Sequence, residues 1–225
     1  MKKTRRKEFK YIISYMDYVK IKPMLQEFLV HDQHGTSDGY PVNSIYLDDL
    51  VFSGASDKAF GNEYHKKYRI RYYHDRQDMK LEIKEKSGDD SIKSSTLLTK
   101  QMYEAIIEHD FDVLQEYMED EVIRRYVLDF KLKHLLPKVT MTYQREAYKD
   151  PSDNLRITFD HTLCGEMYDQ NLFSSDFKLL SDHLIILEVK YEHYLPKQIK
   201  TILNQINLDH VAYSKYFYGY QRAYL

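Results

Sequence analysis

The stretch KKYRIRYY, at residues 66–73, carries a basic side chain at every second position. The odd-numbered positions hold Lys67, Arg69 and Arg71, whereas tyrosine and isoleucine occupy the even-numbered positions 68, 70 and 72. A period of two is typical of a β-strand, whose alternate side chains point to opposite faces. Like charges along one face repel each other unless water or an anion neutralises them. Arginine and lysine in such a row are well suited to bind phosphate oxygens.

The same alternation recurs in segments that are far apart in the sequence. We predict strands at 8–13, 42–48, 66–73, 79–86, 138–148, 154–160 and 183–191. Polar faces of these strands hold nine cations and four carboxylates: Lys10, Lys67, Arg69, Arg71, Lys84, Lys86, Arg145, Arg156, Lys190, and Glu8, Glu82, Asp160, Glu188. If the strands are neighbours, this excess of cations produces a positive field.

Two arrangements of the sheet explain an alternation of charged and apolar residues. An antiparallel sheet can pack one face and leave the other face in water. Alternatively, the sheet curls so that the charged faces line an enclosed channel and helices pack on the apolar outside. The near absence of Ser, Thr, Asn and Gln at the polar positions favours the channel. A channel of this kind suits a polyphosphate or a nucleoside triphosphate, with carboxylates to hold a divalent metal.

Helical patterns lie between the predicted strands. They cover residues 15–30, Thr99 to about His109, 112–135 as one or two helices, a helix beginning at Pro196, and 211–224. Pro23 predicts a kink or the start of a second helix. The polar segment 87–98, SGDDSIKSSTLL, is interpreted as a mobile loop. Strands outnumber helices without strict alternation, which favours an α+β fold with a mostly antiparallel sheet.

Composition limits the class of protein. The chain has 225 residues, 7 Gly and 5 Pro and no linker-like tract, so we expect a single domain over residues 1–225. One cysteine, Cys164, forms no internal disulfide and is compatible with a reducing compartment. The N-terminus lacks a secretory signal, and no apolar run reaches membrane-spanning length. We therefore predict a cytoplasmic protein without its own transmembrane segment.

Other candidate sites are weaker. The sequence has no GxxxxGK[ST], GxGxxG or HExxH motif, so it predicts neither a standard nucleotide-binding loop nor a zinc-protease site. His31 and His34 are close in sequence but lie in a predicted loop. The spacing of His161 and Cys164 does not by itself produce a reactive thiol. Asp48 and Asp49 are either metal ligands or turn residues at the end of a strand.

The motifs, taken in order, resemble a known family, the VTC domain. This is the polyphosphate polymerase domain of the vacuolar transporter chaperone, within the CYTH/triphosphate tunnel metalloenzyme superfamily. The resemblance runs from residue 5 to about residue 220. Its motifs are R6-x-E8-x-K10-Y11, S44-I-Y-L-D48, K67-x-R69-I-R71-Y, L81-E82-I-K84, Y143-Q-R145-x-A-Y, L155-R156-I-T-F-D160, L187-E188-V-K190 and S214-K215-Y216.

The resemblance implies an α+β fold built on an antiparallel β-tunnel. We expect a closed or nearly closed barrel with a charged interior and helices packed outside. The implied activity is metal-dependent transfer of the γ-phosphoryl group of ATP to a polyphosphate chain. A triphosphatase of the same fold and a non-catalytic polyanion-binding module remain as alternatives. A nucleic-acid partner is not expected, because a narrow channel excludes a duplex.

The resemblance also implies roles for individual residues. Catalytic phosphate contacts are expected from Arg69, Arg71, Lys84, Arg145, Arg156 and Lys215, and further substrate contacts from Lys10, Lys67, Lys190, Ser214 and Tyr216. Mn²⁺ or Mg²⁺ would bind Glu188, with Glu8 and Glu82 as further candidates. Relatives usually carry Lys-x-Arg on the strand after LEIK, whereas this chain has only Lys93. Export of a product would need a separate membrane-protein partner.

Overall fold

A computed structural model describes residues 7–32, 39–57, 62–73, 78–88, 90–152, 154–169, 179–180, 183–206, 208 and 213–224. The chain divides into two compact units. Unit 1 comprises Met1–Pro41, Tyr143–Cys164 and Leu179–Ser214. Unit 2 comprises Val42–Thr142, Gly165–Lys178 and Lys215–Leu225. The expectation of a single domain stays a prediction.

Strands and helices follow the predicted alternation closely. The described strands are β1 (Lys7–Ile13), β2 (Val30–His31), β3 (Tyr40–Asp48), β4 (Tyr64–Tyr73), β5 (Lys80–Ser87), β6 (Asp90–Leu97), β7 (Leu136–Lys149), β8 (Leu155–Met167) and β9 (Ile185–Tyr191). The described helices are α1 (Tyr15–Gln26), α2 (Ser53–Ser56), α3 (Lys100–Glu108), α4 (Phe111–Gln115), α5 (Glu121–Lys133), α6 (Lys197–Leu203) and α7 (Lys215–Tyr224). None of the helices in the described ranges is long and apolar enough to cross a membrane.

The hydrogen-bonded order of the strands is β1-β9-β8-β7-β3-β4-β5-β6, and β2 pairs with β7. The strand pairs of the described residues, such as β1 with β9 and β4 with β5, are antiparallel. The α+β prediction with an antiparallel sheet is therefore confirmed. The closed or nearly closed barrel is not found, because β1 and β6 end this order without pairing to each other in the described part of the chain.

In unit 1, helices cover the apolar face of the sheet. Ile157 and Leu187 are fully buried with Ile21 and Leu25 of α1 and Ile199 of α6. The Ser14 side chain caps α1 by accepting from the backbone N–H of Asp17. Pro23 lies inside α1 and does not begin a second helix there. The charged residues of β1, β8 and β9 consequently occupy the opposite face.

In unit 2, the apolar residues of β4 and β5 pack against α3, α4 and α5. Ile70, Leu81 and Ile83 are fully buried in one cluster with Ile106 and Ile123. The prediction of one or two helices within 112–135 resolves into α4 and α5. As in unit 1, helices cover the apolar face, which leaves the alternating charged residues of the strands on the other face.

The interpretation of residues 87–98 as a mobile loop is wrong. Residues 90–97 form β6, which pairs with β5 over eight residue pairs from Lys80↔Leu97 to Ser87↔Asp90. Its polar composition concealed the strand, because β6 buries no apolar row of its own and contributes chiefly backbone hydrogen bonds to β5. Lys93 therefore lies in a sheet and not in a loop.

Candidate functional site

Three lysines form a row across the sheet of unit 2. Lys67 of β4 lies opposite Lys84 of β5, and Lys84 lies opposite Lys93 of β6. Residues directly opposite in antiparallel strands have Cβ atoms roughly 4.5–5.5 Å apart, and like charges at these positions destabilise the sheet. A bound anion would remove this repulsion. The row therefore favours a ligand whose negative charge is spread over several oxygens.

Glu82 is the only carboxylate that the described residues place on this charged face of β4–β6. Its Oε2 accepts a hydrogen bond from Arg69 Nε at 2.7 Å, and Lys93 Nζ lies 2.5 Å from its Oε1. Burial alone would raise its pKa, but the positive charges of Arg69, Arg71 and Lys93 outweigh burial and lower it to about 2. Glu82 is therefore ionised at neutral pH, and cations occupy both of its oxygens.

Helix α7 packs on the same face. The ring of Tyr216 stacks on Tyr46, with centroids 4.4 Å apart and planes 10° apart. Tyr46 lies opposite Arg69 across β3 and β4, which places it on the charged face. Lys67 Nζ lies 5.9 Å from the centroid of the Tyr216 ring, within range of a cation–π contact. Tyr216 thus lies beside Lys67, and its stacking partner Tyr46 lies opposite Arg69.

Gly219 permits the close approach of α7 to β7. A Cβ atom at this glycine would collide with the Met141 sulfur and come within 3.1 Å of Val139. Lys215, a predicted phosphate contact, is the first residue of α7 and is half-buried. Ser214 comes directly before it and belongs to unit 1.

Charges of opposite sign alternate across β1 and β9 in unit 1. Glu8 lies opposite Lys190, and Lys10 lies opposite Glu188. Lys10 Nζ is 3.2 Å from a Glu8 carboxylate oxygen and 3.7 Å from one of Glu188. Lys190 Nζ is 3.1 Å from the same Glu188 oxygen. Glu188 is only 5% exposed, so it is more shielded from water than Glu8, Lys10 and Lys190 around it.

Arg145 is held by a buried carboxylate in unit 1. Its Nε and Nη2 donate to the two oxygens of Asp160 at 2.6 and 2.7 Å, and Nη2 lies 3.7 Å from Glu188. Burial alone would lower the pKa of Arg145, but Asp160, Tyr143 and Glu188 raise it well above its ordinary value. The guanidinium group is therefore charged, and its orientation is fixed by a bidentate pair.

Arg156 has a different anchor in unit 1. Its Nη2 donates to Asp32 at 2.6 Å and to the hydroxyl of Tyr40 at 3.3 Å. Arg156 also lies opposite Lys190 across β8 and β9, so it shares a face with Glu188. Its buried Nε has no hydrogen-bond partner within the described residues. The Arg156 side chain as a whole is 42% exposed, so its guanidinium group is accessible to a ligand oxygen.

The carboxylates limit which metal site is feasible. No group of three or more His, Cys, Asp or Glu side chains that could hold a metal is found within the described residues. Mg²⁺ is often bound by one or two carboxylates, with water and substrate phosphates as the other ligands, and Mn²⁺ also prefers oxygen. Glu188, with Glu8 nearby, fits an ion that is completed by phosphate oxygens. Glu82 fits less well, because Arg69 and Lys93 lie 2.5 Å from its two oxygens, whereas the cations around Glu188 lie 3.1–3.7 Å from its oxygens.

Within each unit, the structure brings the predicted residues of that unit onto one face of the sheet. The sequence did not identify three of their partners: Lys93 was assigned to a loop, Asp160 was only counted on a strand face, and Asp32 was not considered. Lys93 is in fact in contact with Glu82. The signal for β6, the strand of Lys93, is the glycine that precedes it. Gly88 adopts a positive φ of 56° in the tight turn between β5 and β6, as hairpin turns often require.

Solved structures identify the fold. A candidate adenylate cyclase from Bacillus halodurans matches with a TM-score of 0.57 and 13% identity, covering 98% of this chain and 100% of that one. The candidate adenylyl cyclase HpAC1 from Hippeastrum, which has a dominant triphosphatase activity, matches with a TM-score of 0.59 and 14% identity, covering 97% of this chain and 96% of that one. The chain has the fold of these proteins.

The family follows from the sequence. The family profile of the VTC domain matches residues 5–224, and the chain belongs to this family. The resemblance seen in the motifs is thereby confirmed. No curated protein matches the chain at a significant level.

Proposed function

We propose that this chain is a metal-dependent polyphosphate polymerase that transfers the γ-phosphoryl group of ATP to the end of a polyphosphate chain. The observation that carries the proposal is the VTC-domain match over residues 5–224. The cation-rich face of unit 2 supports it, because the row of Lys67, Lys84 and Lys93 favours a polyanion.

In unit 2, the lysine row and two arginines would contact phosphate oxygens. Lys67 and Lys84 supply compact charges, whereas Arg69 and Arg71 supply directional donors. Glu82 keeps Arg69 in place through its hydrogen bond at 2.7 Å. Preorganised charges of this kind stabilise a transferring phosphoryl group more effectively than water does, because they need not reorient during the reaction.

In unit 1, the same type of contact would come from Lys10, Lys190, Arg145 and Arg156. Asp160 fixes the guanidinium of Arg145, so this side chain loses little further entropy when it binds a phosphate. Ser214, Lys215 and Tyr216 are the proposed contacts from the C-terminal segment. All of these roles are carried over from the family and are proposals for this chain.

The reaction needs little covalent chemistry from the protein. The nucleophile would be a terminal phosphate oxygen of the acceptor chain, which is ionised at neutral pH, so no side chain has to act as a general base. Positioning and charge stabilisation dominate phosphoryl transfer. A bound Mg²⁺ or Mn²⁺ would supply further charge neutralisation of the phosphate oxygens. Glu188 is the residue proposed to hold it, and Glu8 is the second candidate.

A triphosphatase is the second candidate function. The related fold of the Hippeastrum protein, which has a dominant triphosphatase activity, favours this alternative. The two reactions differ only in the acceptor, because water replaces the polyphosphate chain. A module that binds polyanions without catalysis is the third possibility. Export of a polyphosphate product would require a separate membrane protein.

Incubation with ATP and Mn²⁺ or Mg²⁺, followed by electrophoresis for polyphosphate, distinguishes these functions. Growing chains are expected for a polymerase, free phosphate for a triphosphatase, and neither product for a binding module. Glu188→Gln should abolish turnover and leave the fold intact. Glu104→Gln is the matched control. The side chain of Glu104 on α3 is half-exposed, so this variant should leave turnover unchanged. Full turnover by Glu188→Gln would exclude the metal assignment.

A further inference from the structure

Asp48, at the end of β3 in unit 2, is a saturated carboxylate. Its Oδ1 accepts from the backbone N–H groups of Asp49 and Gly54 at 2.9 and 3.0 Å. Its Oδ2 accepts from the backbone N–H of Ala55 at 3.1 Å and from the hydroxyl of Tyr216 at 2.6 Å. A carboxylate offers roughly four lone-pair positions, and these four donors use them. The Asp48 carboxylate therefore connects the loop after β3 to Tyr216 of α7, and it is poorly suited to be a metal ligand.

The segment that follows Asp48 is itself fixed to α7. Phe52 has a left-handed backbone with φ of 57°, which is uncommon for a residue with a side chain. Its ring lies 4.5 Å from that of Tyr220 and 4.7 Å from that of Tyr224, centroid to centroid. The side chain of Asp49 supports the turn by accepting two backbone N–H groups within it. The loop after β3 and helix α7 thus form one packed assembly.

Tyr216 connects this assembly to the charged face. Its hydroxyl reaches Asp48, while its ring stacks on Tyr46 and lies below Lys67 Nζ. The position of the ring therefore limits where the ammonium group of Lys67 can lie.

We propose that Asp48 is a positioning residue, which acts through the hydroxyl of Tyr216 to fix Lys67 for phosphate binding. The inference rests on the proposed function, in which Lys67 contacts the phosphates of the substrate. Asp48 itself touches neither substrate nor metal. It lies 168 positions from Tyr216 in the sequence, so only the folded chain brings the two together.

Tyr216→Phe is the informative variant, because it removes the hydroxyl and keeps the ring on Tyr46. We expect the KM for ATP to rise about tenfold with a smaller change in kcat, from the loss of one hydrogen bond to a charged group. Tyr126→Phe is the matched control in the same unit. The hydroxyl of Tyr126 is buried without a hydrogen-bond partner in the described residues, so this variant should keep the wild-type KM.

A double-mutant cycle separates positioning from general stability. In a chain that already carries Lys67→Met, Tyr216→Phe should raise the KM by less than twofold, because the residue it positions is gone. Isothermal titration with tripolyphosphate gives the same comparison without turnover. Asp48→Asn should also raise the KM, but it places an amide group against backbone N–H donors and lowers stability as well. Tyr216→Phe is therefore the variant that tests the positioning role of Asp48.

The outcomes separate this inference from the proposed function. If wild-type protein neither binds tripolyphosphate nor turns over ATP, the proposed function fails and the inference fails with it. If wild-type protein is active and Tyr216→Phe has the same KM, the inference alone is overturned. An equal loss in the presence and absence of Lys67 would also overturn it, because Tyr216 would then not act through this lysine.

Discussion

The charged faces of the two units follow different patterns. In unit 1, Glu8 lies opposite Lys190 and Lys10 lies opposite Glu188, so β1 and β9 carry opposite charges, although Arg156 of β8 lies opposite Lys190. In unit 2, Lys67, Lys84 and Lys93 lie side by side, and Arg71 lies opposite Lys80. Opposite charges across strands stabilise a sheet and like charges destabilise it.

This contrast indicates a division of tasks. The face of unit 1 is largely neutralised by its own carboxylates, among which the shielded Glu188 is the one suited to an ion. The face of unit 2 has Glu82 as its only carboxylate among the described residues of β4–β6, so these strands carry more cations than anions on this face. A substitution of the same chemical kind should therefore have different consequences for stability in the two units.

The largest effect is expected in unit 1, from Arg145→Met. This change leaves the buried carboxylate of Asp160 without its bidentate partner. Breaking a buried ion pair by removing one partner costs about 3–5 kcal/mol. Urea unfolding at pH 7 should show a fall of this size in the free energy of unfolding. Adding Asp160→Asn should restore part of it, and a loss below about 1 kcal/mol would contradict the comparison.

The next effect is the pH dependence that Glu82 gives to unit 2. Its cationic neighbours lower its pKa from 4.5 to about 2. The folded state therefore gains stability that is present above pH 4.5 and is lost as the pH falls towards 2. The gain amounts to at most about 3 kcal/mol.

Glu82→Gln provides the test of this pH dependence. The variant should be less stable than the wild type at pH 7, and the difference should shrink as the pH falls, since the wild type then loses the same charge. Denaturant unfolding at several pH values measures both trends. A difference that stays constant with pH would show that the charge of Glu82 is not responsible.

Lys84→Met in unit 2 should weaken ligand binding without lowering stability, whereas Arg145→Met lowers stability. Removing the middle lysine of the row relieves two like-charge contacts, so stability should stay the same or rise slightly. Binding of tripolyphosphate should weaken about tenfold, because a charge-assisted contact is lost. Titration calorimetry and thermal unfolding measure the two quantities. A clear loss of stability would show that the lysine row is not under repulsion.

Alternation in the sequence was enough to predict most of the sheet. Seven strands and the helices at α1, α3, α5 and α6 follow directly from periods of two and of about 3.6 residues. The strand β6 was missed because SIKSSTLL has polar residues on both faces, so no hydrophobic period marks it. Closure of a barrel depends on which strand edges meet, and local patterns do not carry that information.

The candidate site was partly predictable for the same reason. The alternation of residues along the strands predicts that Arg69 and Lys84 lie on the charged face of unit 2, and they lie on that face in the structure. This alternation did not reveal that Arg145 is paired with Asp160, or that Tyr216 is bonded to Asp48, because these contacts join distant segments. Register and packing, which the sequence leaves open, decide the partner of each charged side chain.

The smallest effect concerns two threonine hydroxyls, that of the buried Thr158 and that of the half-buried Thr96. In unit 1, Thr158 lies opposite Glu188, and its Oγ1 has no hydrogen-bond partner within the described part of the chain. In unit 2, Thr96 Oγ1 donates to Asp120 at 2.7 Å, and Asp120 caps α5. Thr158→Val should therefore change the free energy of unfolding by less than about 0.5 kcal/mol, whereas Thr96→Val should cost about 1 kcal/mol.

Urea unfolding of the two valine variants checks this difference. Both substitutions remove one hydroxyl and keep a branched side chain, so only the hydrogen bond distinguishes them. If Thr158→Val is the more costly of the two, the hydroxyl opposite Glu188 has a partner in solution. An ordered water shared with that carboxylate would be such a partner, and the region around Glu188 would then be hydrated before any phosphate binds.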